Sequence, residues 1–224
     1  LNFSYASTIR QRFPSLTTQS ILVHGIDAKT STVEHSAALW RLAAKRLESG
    51  DERGFAEIAA WRQAFAQMGL KPTQYRCAAE ALLRRFRKEG LLPQIHPLID
   101  LCNAVSIAHA IPIAVFDIDR IEGRQLCVRP ANGSEIYHAF DGSIEQPHVG
   151  EIIYVDEAGQ AHSRRWCNRQ SAVSAVRNST STALIVAEAL HPQAPQDLLR
   201  LLAVLKTSLT DVWPQTDIAE VKVA

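Results

Sequence analysis

The sequence predicts an α+β fold, a helical N-terminal half packed on a mixed or antiparallel β-sheet. Three observations carry that prediction. Apolar residues recur at helical spacing across residues 31–109, and short apolar or alternating runs follow from residue 113. Helices and strands also segregate, where a parallel doubly wound sheet would alternate them. The chain has 224 residues, 46% of them hydrophobic and 21% charged, enough to bury a sizeable core in one large domain or two small ones. No repeat, low-complexity tract or long linker divides it. Residues 1–224 therefore read as a single domain, with residues 1–74 as an N-terminal strand-plus-helix extension.

Alternation over residues 3–9 and the apolar run 21–23 predict two strands joined around Pro14. Ser31 and Glu34 have capping-box spacing ahead of a helix that carries Leu39, Trp40, Ala43 and Leu47 and closes at Gly50. A second helix covers about residues 52–68. Gly69 and Pro72 stop it, because glycine takes the left-handed conformation and proline cannot extend the hydrogen-bond ladder. A third, about residues 74–89, holds the densest basic stretch, Arg84, Arg85, Arg87 and Lys88. The fourth has Pro97 in its first turn and ends at Pro112, ahead of a strand. Further strands are predicted at 126–128, 135–140, 152–156, 162–167 and 183–187, with turns at Asn132-Gly133, Asp141-Gly142 and Ala158-Gly159. A final helix, about 195–209, leads into a short tail.

With 24 Lys+Arg against 23 Asp+Glu the formal net charge is +1. That excludes a general polyanion binder, so nucleic acid would have to be met through local patches. The cysteines, Cys77, Cys102, Cys127 and Cys167, form no CxxC pair and read as reduced thiols. The segment LNFSYASTIRQRF lacks the basic-then-apolar pattern of a signal peptide, and no apolar run approaches the roughly 20 residues that cross a bilayer. The expected location is the cytoplasm, with no membrane partner; oligomeric state is left open.

Signatures for phosphate loops, dinucleotide folds, zinc proteases and serine hydrolases are absent, and no two histidines lie three or four residues apart, so neither a metal nor a cofactor is expected. Three constellations remain. On the fourth helix His96, Asp100, Asn103 and Ser106 share one face, either a solvated stripe or the lining of a cleft. In HSRRWCNRQS, Arg164, Arg165 and Arg169 surround Trp166 and Asn168. Arginine forks match phosphate and an indole face stacks on a base, whereas the plainer reading is a strand with one buried Trp and surface arginines. In AVFDIDRIEG, Asp117, Asp119 and Glu122 follow an apolar strand. They suit metal binding or general-base work, or they cap the turn and pair with Arg120 or Arg124; the capping reading is preferred.

Taken in order, HPLIDLCNAVSIAHAIPIAVFDIDRIEG, GEIIYVDEAG and RRWCNRQSAVSAVRNST resemble the B3/B4 editing domain of the bacterial phenylalanyl-tRNA synthetase β chain. They are more similar still to free-standing proteins made of that domain alone. The likeness covers about residues 75–190. It implies a B3/B4-like fold and a trans-acting hydrolase, an aminoacyl-tRNA deacylase that takes the 3′ end of a mischarged tRNA and cleaves the ester to the wrong amino acid. It puts Asn103, Pro112 and the pair Phe116-Asp117 on family positions, with Asn103 facing the editing pocket. The implied substrate pocket is Cys102, Ser106, Pro112, Ala114, Phe116 and Asp117, with Asn103 and Asp100 orienting substrate or water. Arg164, Arg165 and Arg169 would face the terminal phosphates, Trp166 would stack on the terminal adenosine, and Asn168 belongs to the same tRNA-binding set. Arg84, Arg85, Arg87 and Lys88 would add sequence-blind phosphate contacts.

The sequence departs from the family at four places. The pocket His of the family falls on Ala114, its small Ala-Gly pair on Arg164-Arg165, and the Thr before the pocket Asn on Cys102. Near residues 183–186, where the synthetase has a Glu that helps recognise a tyrosine hydroxyl, only apolar residues stand. Tyrosine proofreading is not expected from this pattern, because a site without such a group loses its discrimination. The competing reading is a non-catalytic tRNA- or RNA-binding module that kept the scaffold and lost the pocket chemistry. A third, a small-molecule esterase, would turn over free amino-acid esters.

Overall fold

The computed structural model describes residues 1–224. The predicted N-terminal strand is shorter than its alternation suggests: β1 is Asn2–Tyr5, and Ser7–Arg12 forms the short helix α1. Ile9 and Phe13, four residues apart, bury together from one helical turn, which overrides the alternation. The chain continues through β2 (Thr17–His24), α2 (Val33–Glu48), a 3₁₀ turn, α3 (Ala56–Gln67), α4 (Ala78–Glu89), α5 (Pro97–His109) and β3 (Ile113–Asp117). The later strands are β4 (Gln125–Pro130), β5 (Ile136–His138), β6 (Ile144–Glu145), β7 (Ile152–Val155), β8 (Gln160–Ala161), β9 (Ser163–Arg164), β10 (Arg169–Gln170) and β11 (Thr182–Ala189). Helix α6 (Ala194–Val212) follows, and the expected tail is a strand, β12 (Asp217–Glu220).

The α+β class is observed, with the sheets both mixed and antiparallel. β12-β2-β11-β3 form a four-stranded antiparallel sheet; β1-β4-β7-β8-β5-β6 form a mixed one, with parallel pairs at β1-β4 and β5-β8. Residues 1–74 supply one strand to each of these two sheets, and β9 and β10 pair separately as a two-stranded hairpin. β11 lies between β2 and β3 and is buried on both faces. Its period-two alternation sends Leu184 and Val186 toward Phe116, Trp61 and the mixed sheet, and Ala183, Ile185 and Ala187 toward α5 and α6. Helix α6 answers with Leu198, Leu201, Leu202, Leu205 and Leu209, an apolar stripe at helical spacing. No helix is long and apolar enough to cross a membrane.

Two local expectations are corrected. The Ser31/Glu34 capping box does not form: Thr32 is the N-cap, its side chain caps nothing, and the Ser31 hydroxyl meets only the Val33 N–H, at 3.5 Å. The strand expected at 162–167 is only the two-residue β9, because Arg165 and Trp166 turn the chain back. Pro97 does open α5, and the helix closes at Ala110, whose φ is +56°. The Ser106 hydroxyl donates to the Ile111 carbonyl at 2.7 Å across that turn, delivering Pro112 to the start of β3.

Candidate functional site

A cavity of about 70 Å³ lies where β3, the β9–β10 hairpin, β7 and the C-terminal end of β11 meet. Pro112, Ile113, Ala114 and Phe116 form one wall; Trp166, Cys167, Asn168, Arg169 and Gln170 form another; Tyr154, Ser163, Ala78 and Glu188 complete it. The hairpin is shaped by backbone strain. Arg165 and Trp166 are consecutive non-glycine residues with φ of +50° and +61°, a conformation that costs roughly 1–2 kcal/mol each. Surrounding bonds hold it in place. The Arg165 N–H donates to Glu151 at 2.9 Å, the Trp166 N–H to the Ile152 carbonyl at 2.6 Å, and the Ala78 N–H to the Cys167 carbonyl at 2.9 Å. The Asn168 amide donates to the Arg76 carbonyl at 2.7 Å. The strained turn thereby aims the Trp166 indole inward.

The chemically distinctive group is Glu188, on the same face of β11 as Leu184 and Val186 and 2% exposed. Three neutral donors reach its carboxylate: the Tyr5 hydroxyl at 2.5 Å, the Tyr154 hydroxyl at 2.6 Å and the Trp166 indole N–H at 2.8 Å. Burial pushes the Glu188 carboxyl above its ordinary value, against the opposing effect of these donors, and burial beside Glu188 raises both tyrosine hydroxyls well above theirs. The strand predicted at 183–187 stops one residue short of this acid. The readable signal was a single carboxylate inside the run TALIVAEAL, in a strand too apolar to expose either face.

Of the residues expected in the substrate pocket, Pro112, Ala114 and Phe116 line the cavity. Cys102 does not: it is buried in the core that α5 shares with α6, β2 and β11, and its thiol is pushed up by burial. Ser106 is spent on the helix turn described above. Asp117 caps the turn after β3, accepting from the Asp119 N–H and from the Thr180 hydroxyl at 2.6 Å, as the capping reading has it. Asn103 is half-buried on α5 and absent from the cavity wall. Asp100 accepts the Ile95 N–H at 2.8 Å and lines a separate groove between the N-terminal ends of α2 and α5. The polar stripe of α5 and the arginine hairpin therefore do not converge.

The residues expected to meet tRNA divide. Asn168 and Arg169 line the cavity, Arg169 at its mouth with 40% of its side chain exposed and both Nη atoms on Glu145. Trp166 cannot stack on an adenosine: it is fully buried, edge-on to Phe13 and Trp61 at 5.0 Å. Arg164 cannot meet a phosphate, because its guanidinium is clamped by Glu151 at 2.5 and 2.8 Å and by Glu145 at 2.5 Å. Burial alone would raise the Glu151 carboxyl; the Arg164 bonds and charge overrule it and hold it below the usual range. Arg165 lies over the Tyr75 ring, 4.6 Å from its centre, in a different groove. On α4, Arg85 pairs with Glu89 and Arg87 with buried Glu52, leaving Arg84 and Lys88 as the exposed cations of that stretch without an ion pair.

The four cysteines are free thiols, and no group of three or more His, Cys, Asp or Glu side chains is placed to hold a metal ion.

Residues 60–207 match the model of the B3/4 domain family. The phenylalanine–tRNA ligase β subunit of Rhodospirillum rubrum is 35% identical over 75 residues, 34% of this chain and 9% of that subunit. Its counterpart in Bartonella henselae is 30% identical over 105 residues, 47% of this chain and 13% of that subunit. The chain thus matches only a small part of the length of these relatives. The crystal structure of an N-terminal fragment of the phenylalanyl-tRNA synthetase β subunit from Pyrococcus horikoshii superposes with a TM-score of 0.55 at 11% identity, over 100% of this chain and 51% of that one, a likeness of fold alone.

Proposed function

Because the chain belongs to the B3/4 domain family, we propose that it is an aminoacyl-tRNA deacylase, with the cavity around Glu188 as its acyl pocket. The observation that carries this reading is a buried carboxylate at the base of a small cavity with an arginine at the mouth, on a scaffold shared with a domain of a tRNA ligase. An aminoacyl ester is already activated, so hydrolysis needs positioning, an oriented water and stabilisation of the developing oxyanion, and no nucleophile–base pair. Glu188 takes a donor of the acyl group. In this reading Arg169, which lines the cavity and is partly exposed, meets the ester or the terminal phosphate, and Asn168 and Gln170, each with one amide N–H spent on the Arg76 or Val115 carbonyl, offer their remaining amide groups along the wall. The exposed Arg84 and Lys88 give a sequence-blind phosphate contact.

The test is release of amino acid from a panel of mischarged tRNAs, with Arg169→Ala as the site variant. Release by the wild-type protein, reduced at least about tenfold in the variant, is the expected result. Salt-dependent tRNA binding with every ester intact would instead identify the non-catalytic module. Turnover of free amino-acid esters at an equal rate without tRNA would identify a small-molecule esterase.

A further inference from the structure

We infer that the groove between the N-terminal ends of α2 and α5 binds a free α-amino acid, with its carboxylate at the helix ends and His96 and its ammonium on Asp100. This groove of about 230 Å³ shares no lining residue with the Glu188 cavity. It opens at the start of α5, whose 13 residues span about 20 Å before the chain turns toward that cavity. Binding there does not depend on the chain cleaving an ester.

Unpaired donors come from both helices. His96 is the N-cap of α5 and 3% exposed, and its Nδ1 accepts the Leu98 N–H at 3.2 Å. Burial pushes its pKa down, against the charges of Asp100 and Asp27, so the ring is neutral and its one proton sits on Nε2. That N–H is buried in the groove wall and has no partner, which a bound acceptor would supply. On the other helix, Thr32 gives α2 no side-chain cap, and the Glu34 and His35 N–H groups of its first turn donate to nothing. Two helices of 16 and 13 residues thus turn their positive ends to one space, an arrangement that receives a carboxylate.

Asp100 sets the opposite requirement. Its carboxylate lines the groove and accepts the Ile95 N–H at 2.8 Å, burial raises its pKa, and no lysine or arginine neutralises it. A bare anion would be repelled by this charge and by Asp27, and a bare amine would leave the His96 N–H and the helix ends unfilled. A zwitterion satisfies both, and an α-amino acid carries both charged groups on one carbon. The groove exceeds the roughly 150 Å³ that holds a benzene ring, so a side chain fits as well. The adjoining cleft of about 10 Å³, lined by Ser36 and Trp40 with their unpaired Oγ and Nε1 atoms, has room for one water only.

The experiment is calorimetric titration of the full chain with each of the common free amino acids and, for any that binds, with its amide and its deamino acid. At least one amino acid should bind with a Kd of about 1 mM or tighter. The amide lacks the carboxylate and the deamino acid lacks the ammonium, so each should bind at least about tenfold more weakly. Asp100→Asn keeps an acceptor for the Ile95 N–H and should weaken the amino acid by a similar factor while sparing the deamino acid. Gln94→Trp, at an exposed position of the wall, should block binding in a variant that thermal melts show to be folded. Ala114→Leu, in the other cavity, should leave binding unchanged. No binding by any amino acid overturns the inference, as does an amide or deamino acid that binds as tightly as its parent. Binding that survives Gln94→Trp, or is lost in Ala114→Leu, places the amino acid elsewhere and overturns it too.

Discussion

Arg164→Leu separates a structural arginine from an RNA-contacting one. The side chain is 3% exposed, its Nε and Nη2 rest on the Glu151 carboxylate, and its Nη1 rests on Glu145. Removing one partner of a buried ion pair costs about 3–5 kcal/mol, because the other charge stays buried without compensation. Here the lower end applies. Glu145 is 31% exposed and keeps Arg169, so Glu151, 7% exposed and left with backbone N–H donors, bears the loss. In a chain of 224 residues each kcal/mol moves Tm by about 2–4 °C, so a fall of roughly 6–12 °C is expected. The assay is urea denaturation at low and high salt, read with the double variant Arg164→Leu/Glu151→Gln, which should recover part of the loss. The pH dependence has a definite sign as well. The Glu151 carboxyl is depressed in the folded protein, so its stabilisation is present above the ordinary glutamate range and is lost as pH falls; the single variant should lose that acid sensitivity. A stability change under about 1 kcal/mol together with weaker RNA binding would refute the structural assignment.

Three further outcomes are expected. Trp166→Phe removes one of the three donors to Glu188 and should cost about 1–3 kcal/mol by urea denaturation, with tRNA affinity unchanged. The Glu188 carboxyl is raised, so its contribution to stability is full below the ordinary glutamate range and declines as pH rises through its folded value. Glu188→Gln should flatten that decline in thermal melts taken from acid to neutral pH. Arg84→Ala with Lys88→Ala should leave stability within about 0.5 kcal/mol, and should lower the slope of log affinity against log salt for single-stranded RNA by roughly 0.7 for each phosphate no longer neutralised.

The helices and most strands were legible because apolar periodicity fixes which face is buried, as in α6 and β11, and because Pro97, Pro112 and Gly69 punctuate the chain. The pocket residues Pro112, Ala114 and Phe116 were named by the family resemblance, and they line the cavity from β3 and its entry. The hairpin was not. Nothing in Arg165-Trp166 announces two left-handed residues, which usually fall to glycine or asparagine, and that turn sends Trp166 inward and exchanges its expected role from base stacking to holding Glu188. Arg164 misled for a related reason. Its partners Glu145 and Glu151 lie 19 and 13 residues away, and only the sheet register makes them neighbours. Asn103 shares a helix face with Asp100, but the side of α5 it occupies follows from how α5 packs on β3 and α4, which helical spacing cannot specify.

If the cavity beside Glu188, and not the polar stripe of α5, holds the acyl group, filling that cavity must stop the reaction. The most direct test is the rate of amino-acid release from a panel of mischarged tRNAs by the wild-type protein and by Ala114→Leu, a wall substitution that fills the cavity, with thermal melts confirming that the variant is folded. Release by the wild type and its loss in the folded variant is the predicted result. Equal release from a filled cavity, or none from the wild type, would contradict it.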